Sequence, residues 1–168
     1  MKTIELTQGE VAIVDDADYD YLSQWNWSLY RKTGRRSYYA QRSMPLPDGR
    51  KTTIQMHRHI LSAPIGVQID HVNGNGLDNQ RCNLRLCTHA ENRRNMDAYR
   101  NCTSGYKGVH WHRQRKKWRA VINYQKKSIS LGLYKNKEEA AIAYDEAAKK
   151  YFGKFARLNI TLTALPKN

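Results

Sequence analysis

The chain has 168 residues, with 29 lysines and arginines against 15 acids and a net charge of +14. That length suits one ordinary domain or two small ones, and so positive a chain favours a polyanion such as nucleic acid, through release of phosphate counterions. Three cysteines (Cys82, Cys87 and Cys102) without a CxxC, no basic-then-apolar leader and no long apolar run argue against a disulfide scaffold, a structural zinc site, a secreted precursor and a membrane protein. The expectation is an intracellular, reduced protein.

Residues 1–56 read as short strands and turns. TIEL and EVAIV have strand character, and DDADYDYLSQW reads as a short helix opened by Asp15 or Asp16. WNWSLY, SYYAQRS and KTTIQM then alternate as strands, with turns at TG and PDG. This end is locally acidic: residues 1–30 hold one lysine and six acids, so the positive excess lies beyond them. The aromatics Trp25, Trp27, Tyr30, Tyr38 and Tyr39 suit either base stacking or, as is commoner, the core of a small sheet. Alone, the segment names no function.

Residues 57–95 begin with HRHIL, directly after Met56, and continue into a strand, VQIDHV. A turn-rich excursion, NGNGLDNQRC, separates it from a second strand, NLRLC. Thr88 and Glu91 fit a capping box, so a helix starts near His89, with Asn92 and Asn95 in its first two turns. Strand, long loop, strand, helix is the resulting order, and a loop this long is often functional. Asparagine is dense throughout, a residue suited to fixing turns, orienting a neighbour or lending a neutral oxygen to a hard metal ion.

The string IDHVNGNGLDNQRCNLRLCTHAENRRN carries Asp70-His71, then Asn83 twelve residues on and Asn92 nine further. With His57-Arg58 upstream, it resembles the ββα-metal HNH endonucleases, most closely the homing endonucleases of phages and introns. Asn92 stands where the family name has its last histidine, a variant of the homing branch. Cutting a phosphodiester needs an activated water, charge relief on the phosphate and a stabilised departing 3′ oxygen. His71 suits the general base, being an imidazole flanked by a carboxylate. The resemblance implies that Asn83 fixes the loop and helps hold that histidine. It also implies that Asp70 and Asn92 ligate one divalent ion, magnesium or manganese, through oxygen. One carboxylate and one amide give the ion a single negative charge, so metal should bind weakly until DNA completes its shell. His57, His59 and His89 either border the site or are ordinary packed or exposed histidines. Arg85, Arg93 and Arg94 suit phosphate clamps.

Residues 96–168 open on a polar connector, MDAYRNCTS. YKGVHW, KKWRAVINYQ and KSISLGLY then read as three strands, and NKEEAAIAYDEAAKKYFG as a helix between Asn136 and Gly153. Ala140, Ala143, Tyr144, Ala147 and Tyr151 recur at helical spacing and should pack on the sheet. YKGV, KW, LG, EEAAIAYDEAA, Gly153, Ala156 and Asn159 together resemble the plant ethylene-response-factor (APETALA-type) DNA-binding domain, whose sheet enters the major groove. Alternation turns Trp118, Ala120, Ile122 and Tyr124 toward the helix. Lys117, Arg119, Val121 and Asn123 turn outward, beside His110, His112, Ser128 and Ser130. The expected DNA-contacting set here is His110, His112, Arg113, Arg115, Lys117, Arg119, Asn123, Lys126 and Ser128. These side chains differ from the plant set, so the plant target sequence should not carry over.

The expected fold class is α+β. A nuclease domain spans residues 1–98, with an N-terminal small sheet over 1–56 and the ββα-metal motif over 57–95. A domain over residues 99–168 follows, a three-stranded antiparallel sheet packed on one helix. The expected function is a monomeric homing endonuclease, phage- or intron-encoded and acting in a bacterial cytoplasm, that cuts double-stranded DNA at one long asymmetric site. The alternative is a non-catalytic, sequence-specific DNA-binding regulator on a worn nuclease fold. An RNA-binding protein fits less well, because neither resemblance points there.

Overall fold

An antiparallel ribbon of β1 (Lys2–Glu5) and β2 (Val11–Val14) begins the chain and sends Ala12 and Val14 into the core. The computed structural model describes residues 1–31, 37–99 and 101–160, which fall into two units, Met1–Asn92 and Arg93–Asn168. Helix α1 (Asp16–Leu22) follows the ribbon. Asp15 stands at its N-cap position, yet its side chain makes no capping bond. The carboxylate instead accepts the backbone N–H of Arg81 at 2.8 Å and Gln80 Nε2 at 3.3 Å.

β3 (Ser28–Arg31), β4 (Tyr38–Pro45) and β5 (Lys51–Gln55) form an antiparallel sheet. Gly49, at φ 81°, closes the PDG turn between the last two, while the TG turn lies outside the described residues. MHRHI makes the short helix α2 (Met56–Ile60), which buries Met56, His57 and Ile60. Trp27, Leu22, Met56 and Val14 are fully enclosed, and Trp27 donates its indole N–H to the Leu22 carbonyl. The aromatic-rich N-terminal segment thus serves mainly the core, although Tyr38 remains exposed.

β6 (Gln68–His71) and β7 (Leu84–Cys87) pair antiparallel, and α3 (His89–Asn95) follows. The capping box forms as the sequence requires. Glu91 N–H donates to Thr88 Oγ1 at 3.2 Å, and Thr88 N–H to Glu91 Oε2 at 2.8 Å.

In the second unit β8 (Val109–His112), β9 (Lys117–Tyr124) and β10 (Lys127–Tyr134) make an antiparallel sheet with β9 central. Helix α4 (Lys137–Phe152) packs on it. Alternation holds along β9: Ala120 and Ile122 are buried, while Lys117, Arg119 and Asn123 are exposed. Small residues on α4 (Ala140, Ala141, Ala147 and Ala148) bring helix and sheet close. Gly108 is part of that fit: it sits at φ 76°, and a Cβ there would strike the Tyr144 ring. Phe152 is more deeply buried than its neighbour Tyr151, and Tyr151 and Ala143 each lie at the margin of a different cluster.

Asp145 was invisible to periodicity because it is a carboxylate on the buried side of a helix. It is 6% exposed and receives the backbone N–H of Asn159 at 2.8 Å and of Ile160 at 2.9 Å. The Asn159 side chain in turn accepts Lys107 N–H at 2.6 Å and donates to the Lys107 carbonyl at 3.1 Å. This clasp ties the chain after α4 to the start of the sheet. Among the described residues no helix is long and apolar enough to cross a membrane.

Asp145→Ala strands two backbone N–H groups and should destabilise the second unit by about 2–4 kcal/mol. Hydrogen exchange should then quicken across β8, β9, β10 and α4 but not in β1, β2 or α1. Unchanged protection in the second unit would contradict the clasp.

Candidate functional site

β6 ends on Asp70-His71, and strand alternation sends these neighbours to opposite faces. Register pairs Gln68 with Cys87, Asp70 with Arg85 and His71 with Leu84. One face therefore carries Gln68, Asp70, Arg85 and Cys87. Arg85 places Nε 2.8 Å and Nη2 2.6 Å from Asp70 Oδ2. Asn92 of α3 reaches this same face, donating Nδ2 to Gln68 Oε1 at 2.9 Å. The Cys87 thiol is pushed up to about 11 by burial first, then by the Asp70 and Glu91 charges, so it stays protonated.

The other face holds His71, 6% exposed. Its ring meets His57 edge-on at 5.0 Å between centroids, and Tyr39 tilts over both imidazoles. His71 Nε2 lies 3.4 Å from Asn79 Oδ1. Asn79 is wholly buried and donates Nδ2 to the Leu77 carbonyl at 3.1 Å. That bond decides which end of the amide faces the imidazole: the oxygen does. Burial lowers the His71 pKa, offset by the Asn79 bond and the charges of Asp70 and Asp78. Burial, with the His71 and Arg58 charges behind it, takes His57 down to about 3. Both rings are therefore neutral near pH 7.

Asn83 lies in a short 3-10 turn, Arg81–Asn83, just before β7 rather than on the strand itself. Its Oδ1 accepts Asn73 N–H at 2.9 Å, and its Nδ2 donates to Asn73 Oδ1 at 3.0 Å and the Asp78 carbonyl at 2.8 Å. Asn73 and Asn75 cap further N–H groups within the same loop. Asn83 thus shapes the loop, and the amide at the imidazole is that of Asn79, which the sequence reading did not single out. Its sequence signal was the Asp78-Asn79 pair within the motif, to which no role was attached.

The N-terminal segment, which named no function, holds that loop from outside. Ile13 N–H donates to the Leu77 carbonyl and Asn79 N–H to the Ile13 carbonyl, each at 2.8 Å. Arg81 forks onto Asp18 at 2.7 and 2.8 Å, beside the Asp15 contact. Gly76 is required for a close approach, since a Cβ there would press into the Tyr39 ring.

Among the described residues no three His, Cys, Asp or Glu side chains gather to hold an ion. Asp70 and Asn92 nevertheless fit one. Both reach the same face of the β6–β7 pair, and the Gln68 bond consumes the Asn92 NH2, leaving its Oδ1 as the available acceptor. A carboxylate and an amide oxygen make a hard donor set suited to magnesium, manganese or calcium, with most of the shell left to other oxygens.

The three arginines near the motif have different surroundings. Arg85 is paired with Asp70, and Arg93 is exposed. Arg94 lies in the second unit with its guanidinium 5.6 Å from the Tyr124 ring centre and 5.1 Å from that of Phe152. His59 stacks on Tyr21, and His89 is exposed. In the second unit His110, Arg113, Arg115, Lys117, Arg119, Asn123, Lys126 and Ser128 are all exposed. Register sets His110 beside Arg119, His112 beside Lys117 and Ser128 beside Asn123 on the outer sheet face. His112 is half-buried, with Nδ1 accepting Arg115 N–H at 3.3 Å. Lys126 sits at φ 62° in the β9–β10 turn, and Arg113 and Arg115 in the β8–β9 turn.

Family models match the chain in two places: an HNH endonuclease at residues 56–94 and an AP2 domain at residues 104–154. Protein 3.8 of Escherichia phage T7 is 35% identical over 94 residues, which are 56% of this chain and 77% of that protein. An AP2-like ethylene-responsive transcription factor of Arabidopsis thaliana is 38% identical over 73 residues, 42% of this chain. A second ethylene-responsive transcription factor of that plant is 37% identical over the same length. The chain spans only 21% and 17% of these two plant proteins.

The buried neutral imidazoles set a pH dependence. An unfolded His57 binds a proton below its ordinary pKa of 6.5, whereas the folded one resists to about 3. Its contribution is therefore complete above pH 6.5 and is lost as pH falls toward 3, by up to about 1.4 kcal/mol per pH unit. Urea unfolding at pH 7.5, 6.5 and 5.5 should show that slope, and His57→Gln should flatten it. Equal slopes in both proteins would contradict a neutral buried His57.

Proposed function

The chain belongs to the family of phage T7 Protein 3.8 and carries an HNH endonuclease domain followed by an AP2 domain, and on that premise we propose that it is a site-specific, metal-dependent endonuclease of duplex DNA. The observation that carries this reading is the division at the end of β6. Oxygen donors lie on one side and a neutral imidazole on the other, from adjacent residues of one strand.

In this reading His71 takes the proton of the attacking water. With the proton of the resting imidazole on Nε2, facing Asn79 Oδ1, the lone pair of Nδ1 is the base. Asn79 is a positioning residue, and Asn83 acts through the loop that carries it. Asp70 and Asn92 would hold one magnesium or manganese ion, which supplies charge relief to the phosphate and to the departing 3′ oxygen. Arg93, exposed on α3, would meet backbone phosphate. The outer face of the second sheet, centred on Arg119, supplies docking and base contacts.

We assign the chemistry to residues 1–98 and the docking to residues 99–168. Two unlike modules in one monomer suit a long asymmetric target, the habit of a homing enzyme encoded by a phage or an intron and working inside a bacterial cell.

His71→Ala should abolish cleavage while leaving duplex affinity within a few-fold, because the residue acts in the transition state. Asp70→Ala and Asn92→Ala should each remove metal-dependent cleavage, and chelator should stop the wild type without lowering its melting temperature. Cutting by the His71 variant at the wild-type rate would defeat the assignment, and a large chelator-induced loss of melting temperature would point to a structural ion instead.

Arg119→Ala should cost about 1–3 kcal/mol of binding and relax one base position if the side chain reads a base edge. Selection from randomised duplexes measures this. Binding and sequence preference both unchanged would remove the outer sheet face from the interface.

A further inference from the structure

Arg85 stands directly opposite Asp70 on the paired strand. Its guanidinium delivers two N–H bonds to a single carboxylate oxygen, Oδ2. The side chains are 15% and 6% exposed, so water screens this pair poorly. The other carboxylate near Cys87, Glu91, is committed to the Thr88 N–H and hydroxyl. Asp70 and Arg85 together are electrically neutral. The free protein therefore presents a divalent cation with a carboxylate whose charge is already matched, in a chain of net charge +14.

A planar guanidinium fork fits a phosphate as well as it fits a carboxylate. DNA thus brings a group that can draw Arg85 from Asp70 without leaving the guanidinium unpaired. Resting on the metal reading above, we propose that Arg85 is a placeholder for the cation. It holds Asp70 closed to metal in the free protein and passes to a backbone phosphate when duplex arrives, so that ion and DNA enter the site together. Such coupling withholds the assembled site until substrate is in place. It differs from a simple shortage of ligands, because removing the arginine should then open the site without any DNA.

The test is Mn2+ binding by the full-length protein, counted by electron paramagnetic resonance of the free ion, with and without a random-sequence duplex. The duplex arms use the His71→Ala background to spare the DNA. With Arg85 present, affinity for Mn2+ should be weak and should tighten by about tenfold on adding duplex. Arg85→Met should bind Mn2+ about tenfold more tightly than its parent without DNA and gain less from duplex than the parent does. Arg85→Lys keeps the charge without the fork, should fall between the two, and decides the matter if the methionine variant does not fold. Mn2+ affinity that is unchanged or weaker in the folded Arg85 variants overturns the placeholder. Asp70→Asn separates the two claims: loss of Mn2+ binding in the Arg85→Met background upholds Asp70 as the ligand. Mn2+ binding indifferent to Asp70→Asn overturns the metal reading and the placeholder with it.

Discussion

Asn79 is wedged between the Leu77 carbonyl and the His71 ring, and much of the first unit exists to keep it there. An amide suits this place because it both donates and accepts while carrying no charge. A carboxylate in the same position would favour the charged imidazolium over the neutral ring. Holding an amide in one orientation requires that its NH2 have an obligatory partner, and the Leu77 carbonyl provides it. That carbonyl is fixed because it accepts Ile13 N–H and because Asn73, Asn75 and Asn83 bond further backbone groups of the loop. The asparagine density of this stretch thus has one physical cause: a long loop packed against a buried ring must satisfy its own donors and acceptors.

The second constraint is the period of a strand. Adjacent residues on β6 cannot share a face, so Asp70 and His71 are separated into a charged and a neutral environment without any distance along the chain. The charged side is matched internally by Arg85, and the neutral side is walled by His57 and Tyr39. Under the proposed reading this division lets one dipeptide supply both a metal ligand and a base, with the field of the metal kept to one face of the sheet.

Elements set by local rules were legible in the sequence. The Thr88–Glu91 capping box, the alternation along KWRAVINY and the bounds of KSISLGLY needed only neighbours within a few residues, and the structure places them as read. What escaped depended on partners far apart in the chain. Asp15 looked like an N-cap until residues 80 and 81 supplied better donors, 65 and 66 positions away. Asp145 is buried because Asn159 and Ile160, 14 and 15 positions on, return their N–H groups to it. Arg85 and Arg94 shared one expectation as phosphate clamps, and what the sequence did not show is that register sets one beside a carboxylate and packing sets the other beside two aromatic rings. Of the site, the sequence showed which residue types gather in the loop, but not which asparagine would touch the imidazole.

The central claim is that one phosphodiester in duplex DNA is hydrolysed at its 3′ oxygen. The most direct measurement is end-mapping of genomic DNA fragments incubated with the intact protein and magnesium. The account predicts discrete ends within one recurrent sequence, each cut strand carrying a 3′-hydroxyl and a 5′-phosphate. No ends above background, ends scattered without a common sequence, or 3′-phosphate termini would contradict it.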